Sequence, residues 1–181
     1  MVEIDDVAAR GFAAGASAYE AARPGYPDEA IEILRTEAGL APGRRVCDLA
    51  AGTGKLTRRL HEVGADVIAV EPVDSMRSLL EAAVPDVEVR IGRAEEIPLP
   101  DDSVDLVTVA QAFHWFDARA ALEEIARVLR PGGGLGLVWN VRDETVDWVH
   151  RFTELIVEQS DGIPYRRDYS FAEWADQVAE A

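Results

Sequence analysis

Short apolar runs alternate along the chain with segments in which apolar residues recur every three or four positions, from about residue 28 onward. This alternation is typical of βαβ units, and nearly continuous apolar runs indicate strands that are buried on both faces. We therefore predict an α/β fold with a doubly wound, Rossmann-like sheet of about five mainly parallel strands flanked by helices. The predicted strands are 45–49, 66–70, 87–91, 104–109 and 135–139, and the predicted helices are 28–39, 54–63, 74–83, 118–129 and 145–160.

Turn-forming residues support these boundaries. Proline and glycine occur at 41–43 before the first strand, at 71–72 after the second, and at 130–134 before the last. The pattern divides the chain into an N-terminal helix and cap segment (1–27), a ligand-binding domain (28–161) and a tail with a short helix (162–181).

Composition and charge narrow the classes of partner. The 34 acidic residues outnumber the 18 basic ones and give a formal net charge of -16, so nucleic acid and anionic membranes are not expected partners. The acidic start of the chain lacks the features of a signal peptide, and no run approaches 18 consecutive apolar residues, which favours a cytoplasmic protein. The single cysteine, Cys47, lies in an apolar run and is predicted to be buried.

The strongest chemical signal is a strand that runs into a glycine-containing turn and then a helix, Val46-Cys47-Asp48-Leu49-Ala50-Ala51-Gly52-Thr53-Gly54-Lys55. Gly52 and Gly54 can adopt backbone torsions that other residues resist, and they let a ligand approach the backbone closely. The helix that follows offers unpaired N–H groups to an anionic group. This pattern predicts a site for a nucleotide-like ligand.

Three ligand classes compete for this loop. A phosphate-binding P-loop requires Gly at position 49 and Ser or Thr at position 56, where this chain has Leu49 and Leu56. A dinucleotide-binding turn prefers Gly or Ala at position 57, where Thr57 stands, so NAD is a weaker alternative. The third class is S-adenosylmethionine (SAM), because Asp48 at the strand end favours a ligand that carries an ammonium and a sulfonium.

A second carboxylate, Glu71, ends the next predicted strand 23 residues after Asp48. In a doubly wound sheet these strand ends are adjacent at the carboxyl edge, where ligands bind. An acid there can accept hydrogen bonds from both ribose hydroxyls. Glu71 therefore suits the adenosine of SAM and of NAD.

From about residue 28 to 140 the chain resembles class I SAM-dependent methyltransferases, particularly the methyltransferase type 11 group. Residues 48–54 resemble the family's D-x-G-x-G-x-G loop, with Ala50 in place of the first glycine. Residues 93–99 resemble its D-A-E-x-L-P-F segment, with Arg93 in place of the acid. The resemblance implies SAM as cofactor and the following binding residues: Asp48, Ala50, Gly52, Gly54, Glu71 with Pro72 at the ribose, Met76, Ala94 and Glu95 at the adenine, and Gln111.

A distinctive His-Trp-Phe-Asp sequence follows the fourth predicted strand. It resembles a subgroup of small-molecule methyltransferases that includes trans-aconitate methyltransferases. The resemblance places Trp115 and His114 near the transferred methyl group or the acceptor, and His114 is the candidate catalytic residue. The alternative is that Phe113 and Trp115 pack beneath the next helix, with His114 as a hydrogen-bonded core residue.

The N-terminal pattern Y-x-x-x-R-P-x-Y-P resembles the family's segment that closes over SAM. It assigns Tyr19, Arg23 and Tyr26 to the cap or substrate site, where Arg23 could pair with a carboxylate. The alternative is a surface turn with tyrosine packed on the domain. No metal site is expected, because His61 and His150 lie on predicted helices without a second ligand nearby.

These features predict an enzyme that transfers a methyl group from SAM to a small molecule, with a carboxylate as one acceptor type. The alternatives are a SAM-binding module without turnover and an NAD-dependent oxidoreductase. Relatives of this type usually add a C-terminal antiparallel hairpin, and no alternating run after 161 is long enough for one. We therefore predict that the hairpin is missing. The fifth strand would then be an apolar edge covered by the tail or by a second copy in a homodimer, unless the chain is a fragment of a longer enzyme.

Overall fold

The computed structural model describes residues 24–159, which fall into two compact units, 24–138 and 139–159. The elements of the first unit are α1 (Asp28–Glu37), β1 (Arg45–Leu49), α2 (Lys55–Glu62), β2 (Asp66–Val70), α3 (Asp74–Ala83), β3 (Glu88–Arg90), β4 (Val104–Ala110), a 3-10 helix (Phe113–Trp115), α4 (Ala118–Val128) and β5 (Leu129–Val138). The strands form one sheet in the order β3-β2-β1-β4-β5. Every neighbouring pair is parallel, which confirms the predicted α/β fold.

Apolar residues on the central strands explain why the sheet lies in the interior. Val46 of β1, Ala69 of β2 and Leu106 of β4 are 0% exposed and belong to one hydrophobic cluster. The helices add residues one turn apart, such as Ile31 and Leu34 of α1. Burying each large apolar side chain stabilises the fold by about 1.5–3 kcal/mol.

Strand β5 begins earlier than predicted, and the predicted turn at 130–134 lies inside it. Val104 pairs with Leu129, whereas Leu106 already pairs with Gly134. The Pro-Gly-Gly-Gly segment is therefore an irregularity in the register of β5, after which parallel pairing resumes. The prediction was wrong here because a run of turn-forming residues does not reveal that pairing continues on both sides of it.

Glycines of β5 let α1 approach the sheet closely. A Cβ on Gly134 would lie 2.7 Å from the carbonyl oxygen of Ala38, and one on Gly136 would lie 2.5 Å from Leu34 Cδ2. Both distances are too short for a side chain. The glycines are therefore part of the contact between the last strand and the first helix.

Strand β5 lies at one edge of the sheet. Within residues 24–159 it pairs with β4 alone, and Leu135 and Leu137 are half-buried. The predicted absence of a hairpin, and the covering of this edge by the tail or by a second copy, concern residues 160–181. Those residues lie outside the described part of the chain, so these statements stay predictions.

The second unit contains one described helix, α5 (Asp147–Gln159). Within this unit the Arg142 guanidinium lies 5.7 Å from the centre of the Phe152 ring. His150 contacts the carboxylates of Glu144 and Glu154 at 3.3 and 3.5 Å. In the described range 24–159, no helix has the length and hydropathy needed to cross a membrane.

Candidate active site

The carboxyl ends of β2, β1 and β4 lie side by side, and the order of the strands along the chain reverses between β1 and β4. Such a switch point is where open α/β sheets bind ligands. Backbone hydrogen bonds join the residues that follow β1, β2 and β4 to the last residues of the neighbouring strands β2, β3 and β5. They run from Ala51 N–H to Val70 O (3.1 Å), from Glu71 N–H to Arg90 O (3.1 Å) and from Gln111 N–H to Val138 O (2.9 Å).

The loop after β1 has left-handed backbone at every second residue. The φ angle is +55° at Ala50, +60° at Gly52 and +83° at Gly54. Glycine adopts this region freely, whereas an L-residue there costs about 1–2 kcal/mol. Ala50 therefore holds a glycine-like conformation under strain.

The two loop glycines serve different purposes. A Cβ on Gly54 would lie 3.1 Å from Leu80 Cγ, so this glycine lets α2 begin against α3. A Cβ on Gly52 would meet nothing within 4 Å, so this glycine faces open space. Gly54 supports helix packing, and Gly52 leaves room for a ligand.

Asp48 is 1% exposed, and both of its carboxylate oxygens accept hydrogen bonds from hydroxyl groups. Thr57 Oγ1 donates to Oδ2 at 2.6 Å, and Thr108 Oγ1 donates to Oδ1 at 3.0 Å. Burial raises the pKa of Asp48 to about 6, the two hydroxyls offset part of that rise, and the charge of Glu71 adds to it. The carboxylate thus points towards two threonines, and its contact with a donor ammonium stays a prediction.

Glu71 is 4% exposed and holds the start of the next segment. Its Oε2 accepts the Gly52 N–H at 2.8 Å, and its Oε1 accepts the Val73 N–H at 2.9 Å. Burial raises the pKa of Glu71, and these two N–H groups and the charge of Arg77 offset part of the rise. Each oxygen retains a lone pair, so Glu71 can still accept hydrogen bonds from hydroxyl groups.

The segments after β2 and β3 contribute mainly buried residues. Met76 on α3 and Ala94 are each 4% exposed, and Pro72 is half-buried. A small exposed fraction is compatible with the expected contact of the Ala94 backbone with a ligand. The adenine contacts themselves stay predictions.

Glu95 links two segments of the site. Its Oε1 accepts the Asp117 N–H at 3.0 Å, and its Oε2 lies 3.6 Å from Arg93 Nε. Asp117 in turn caps α4, because its Oδ1 accepts the Ala120 N–H at 3.2 Å. Glu95 therefore connects the segment after β3, residues 93–96, to the last residue of the His-Trp-Phe-Asp sequence.

The 3-10 helix carries the candidate catalytic residue. Phe113 is 1% exposed and packs edge-on against Phe116, with ring centres 5.7 Å apart. The half-buried His114 lies 4.8 Å from the ring centre of Trp115, which is 51% exposed. Phe113 is therefore buried and Trp115 is open to solvent, and the packing of Phe113 beneath α4 stays a prediction. Just before this helix, Gln111 has φ +58°, a strained conformation typical of functional sites.

Of the three predicted cap residues, the described part of the chain includes one, Tyr26. Tyr26 is half-buried and packs against the core cluster, as the structural alternative predicted. Tyr19 and Arg23 lie outside the described residues. Within residues 24–159, His, Cys, Asp and Glu side chains form no group of three or more that could hold a metal ion.

Sequence reasoning missed the residues that support the site segments through hydrogen bonds and packing. Thr57 was considered only as a mismatch to the dinucleotide pattern, and Thr108 was considered only as part of a strand. Gly92 was overlooked, although a Cβ there would lie 2.4 Å from Pro98 Cδ. Arg127 was also overlooked, although its guanidinium donates to the carbonyl oxygens of residues 97 and 99, at 3.0 and 2.8 Å. A polar residue in an otherwise apolar strand was the available signal for Thr108.

Comparison with known proteins identifies the family. The model of the methyltransferase domain family matches residues 47–137, half of the chain. The chain belongs to this family. It is 54% identical over 152 residues to an uncharacterized methyltransferase of Mycobacterium tuberculosis, covering 84% of this chain and 61% of that protein. The chain thus spans less than two thirds of the length of this curated relative.

Solved structures agree with that assignment. The crystal structure of an S-adenosylmethionine-dependent methyltransferase from Mesorhizobium loti superposes with a TM-score of 0.53 at 29% identity, covering 59% of this chain and 51% of that chain. A protein from Methanococcus maripaludis superposes with a TM-score of 0.71 at 22% identity, covering 99% of this chain and 85% of that chain. The second likeness concerns the fold alone. The fold and the family imply SAM as the cofactor.

The residues at the carboxyl edge fit such a donor. Helix α2 begins directly after Gly54, so the positive end of its dipole lies at the loop, where it favours a carboxylate. Gly52 provides open space in this loop, and Glu71 provides acceptor oxygens at the next strand end. An anion acceptor, room for the ligand and a hydroxyl acceptor thus lie along one edge.

Proposed function

We propose that this protein transfers a methyl group from SAM to a small-molecule acceptor, as a member of the His-Trp-Phe-Asp subgroup. The hydrogen bond between Gly52 and Glu71 carries this proposal, because it brings the glycine loop and the hydroxyl-accepting acid together at the carboxyl ends of β1 and β2. When bound, SAM supplies a methyl group activated by its sulfonium.

Each segment of the edge has a separate task in this proposal. The N-terminus of α2 binds the donor's carboxylate, and Glu71 binds the ribose hydroxyls. Met76, Ala94 and Glu95 surround the adenine. Beyond β4, Gln111 borders the methionine part of SAM, and His114 and Trp115 face the methyl group or the acceptor.

Methyl transfer is an in-line displacement, so the protein's main contribution is to position the two reactants. A carboxylate acceptor needs no base. For a hydroxyl or carbon acid, the His114 imidazole is the candidate group to take the proton. Arg23 remains the candidate partner of an acceptor carboxylate.

The test is direct binding followed by an acceptor screen. Calorimetry with the full chain should detect SAM and S-adenosylhomocysteine, and NAD should neither bind nor raise the melting temperature. A screen with methyl-labelled SAM against small carboxylates, alcohols and phenols should then identify the acceptor. Binding of NAD in preference to SAM would contradict the proposal.

The His114 variant separates turnover from donor binding. With an acceptor from the screen, His114→Ala should lower the rate of methyl transfer and leave the affinity for SAM unchanged. An unchanged rate would assign His114 a structural role. Binding of SAM without transfer to any acceptor would favour the alternative, a binding module without turnover.

A further inference from the structure

The hydrogen bond between Asp48 and Thr57 closes the base of the glycine loop. The two residues are nine positions apart, and the loop that contains the strained Ala50 lies between them. A strained backbone persists only where its surroundings fix it. This bond joins the end of β1 directly to the first turn of α2, so it fixes both ends of the loop.

The same carboxylate extends the connection across the sheet. Thr108 of β4 donates to the second oxygen of Asp48. Strand β4 ends at Ala110, and the 3-10 helix that carries Trp115 begins three residues later. Gln111, with its left-handed backbone, lies in the connection. Asp48 thus touches the strand that leads to the acceptor side as well as the helix that faces the donor.

The surroundings of Asp48 leave it little capacity for a ligand. Its side chain is enclosed, Thr57 and Thr108 each donate to one of its oxygens, and the charge of Glu71, which acts on it, has the same sign. A buried carboxylate that accepts bonds only from neutral donors, here two hydroxyls and the Thr57 backbone N–H, is costly to a fold. Such a cost is typical of a residue kept for function.

We propose that Asp48 is a positioning residue: it holds the glycine loop in the shape that binds the donor. The Thr57 hydroxyl fixes the carboxylate of Asp48 in the position required. The proposal rests on the proposed function and refines the role of one residue within it. Without the Thr57 hydroxyl, only the Thr57 backbone N–H still joins the start of α2 to Asp48, so the loop is fixed less firmly. The loop then presents its open side at Gly52 to a ligand less often in the binding geometry.

Two ligands distinguish this role from direct contact. S-adenosylhomocysteine carries the amino-acid ammonium, and 5′-methylthioadenosine lacks the whole amino-acid part. If Asp48 contacts the ammonium, Asp48→Asn weakens the first ligand and spares the second. If Asp48 acts through the loop, which also borders Glu71, the substitution weakens both.

The experiment measures both affinities by calorimetry with the full chain at pH 7.5. Thr57→Val should weaken both ligands by the same factor, about tenfold, because a hydrogen bond to a charged group is lost. Thr57→Ser, which keeps the hydroxyl, should bind like the wild type. Asp48→Asn should also lower the affinities for the two ligands by equal factors. Thr36→Val is the matched control, because the Thr36 hydroxyl on α1 donates only to backbone oxygens.

The outcomes are distinct. Wild-type affinity in Thr57→Val, with a lowered melting temperature alone, would overturn the inference and leave the proposed function intact. If Asp48→Asn lowers the affinity for S-adenosylhomocysteine but not for 5′-methylthioadenosine, the inference is also overturned, in favour of direct contact with the ammonium. If Thr57→Val does not fold by circular dichroism, Thr108→Val tests the same carboxylate from β4 with the same expectation. Failure of the wild type to bind either ligand would refute the proposed function itself.

Discussion

The backbone N–H of Gly52 donates to Glu71 Oε2 at 2.8 Å, so one carboxylate both shapes the glycine loop and marks the end of the neighbouring strand. Glu71 therefore connects the loop to the site predicted for the ribose. Ribose hydroxyls would meet an acid whose position is already fixed by two N–H groups, those of Gly52 and Val73. Binding then requires little rearrangement of the acid.

Replacing Glu71 should therefore weaken every adenosine ligand of the site. For Glu71→Ala we expect an affinity for SAM and S-adenosylhomocysteine about 10- to 150-fold lower, the cost of losing a charged hydrogen-bond partner. Calorimetry measures both. Glu62→Ala is the control, because Glu62 forms a surface ion pair with Arg59 and lies away from the site. Equal affinities in the wild type and Glu71→Ala would remove Glu71 from the donor site.

Relief of strain at Ala50 should reverse the usual effect of introducing glycine. Because Ala50 has φ +55°, Ala50→Gly should leave the free energy of unfolding unchanged or raise it by up to about 1 kcal/mol. Ala126→Gly, at an exposed position of α4, should lower it by about 0.5–1 kcal/mol. Urea denaturation compares the two variants. A loss of stability in Ala50→Gly as large as in the control would show that position 50 is not strained.

The buried charge of Asp48 should make stability depend on pH. Its pKa of about 6 in the folded chain lies above the ordinary value of 3.8, so the folded state binds the proton more tightly than the unfolded state. The stability that protonated Asp48 contributes is present below pH 3.8 and is lost as the pH rises to about 6. The loss is on the order of 3 kcal/mol.

Asp48→Asn removes that dependence. Relative to the wild type, its free energy of unfolding should increase between pH 4 and pH 6.5, and the difference should then stay constant. Urea denaturation at half-unit pH steps measures it, and Glu71 titrates in both proteins, so its contribution largely cancels. If the difference in free energy of unfolding between the two proteins does not change with pH, the pKa of Asp48 is not raised in the folded chain.

The two loop glycines should respond differently to a methyl group. Gly52→Ala and Gly54→Ala both place an L-residue at positive φ, which costs about 1–2 kcal/mol. Gly54→Ala adds the close contact with Leu80 and should be the less stable variant. Gly52→Ala fills open space beside the loop, so it should lose more affinity for SAM per unit of lost stability. Melting temperatures and calorimetric affinities give both quantities, and the opposite ranking would contradict these assignments.

The elements of the fold were predictable because each carries its own periodic signal. Helix α3 begins and ends at the predicted residues 74 and 83, and β1 and β2 also match. Register was not predictable, because it depends on a partner strand. For this reason the pairing of β5 on both sides of its glycines was missed.

In the site, motif residues were predictable and their supports were not. The pattern around Gly52 and Gly54 is local, since a tight turn needs glycine at those positions. Thr57 and Thr108 support Asp48 only because β4 and α2 converge on β1, and nothing in the spacing of 57 and 108 indicates that convergence. The link from Glu95 to the Asp117 N–H was missed for the same reason.

The close contact of α1 with Gly134 and Gly136 also has a consequence for the order of events during synthesis. The helix leaves the ribosome about 100 residues before the glycines that receive it, which at roughly 5–20 residues per second is an interval of about 5–20 s. Contacts between positions so far apart form late and slowly. Throughout that interval the first helix has no last strand to pack against, so the nascent sheet-bearing unit stays open at this position until translation has passed residue 136.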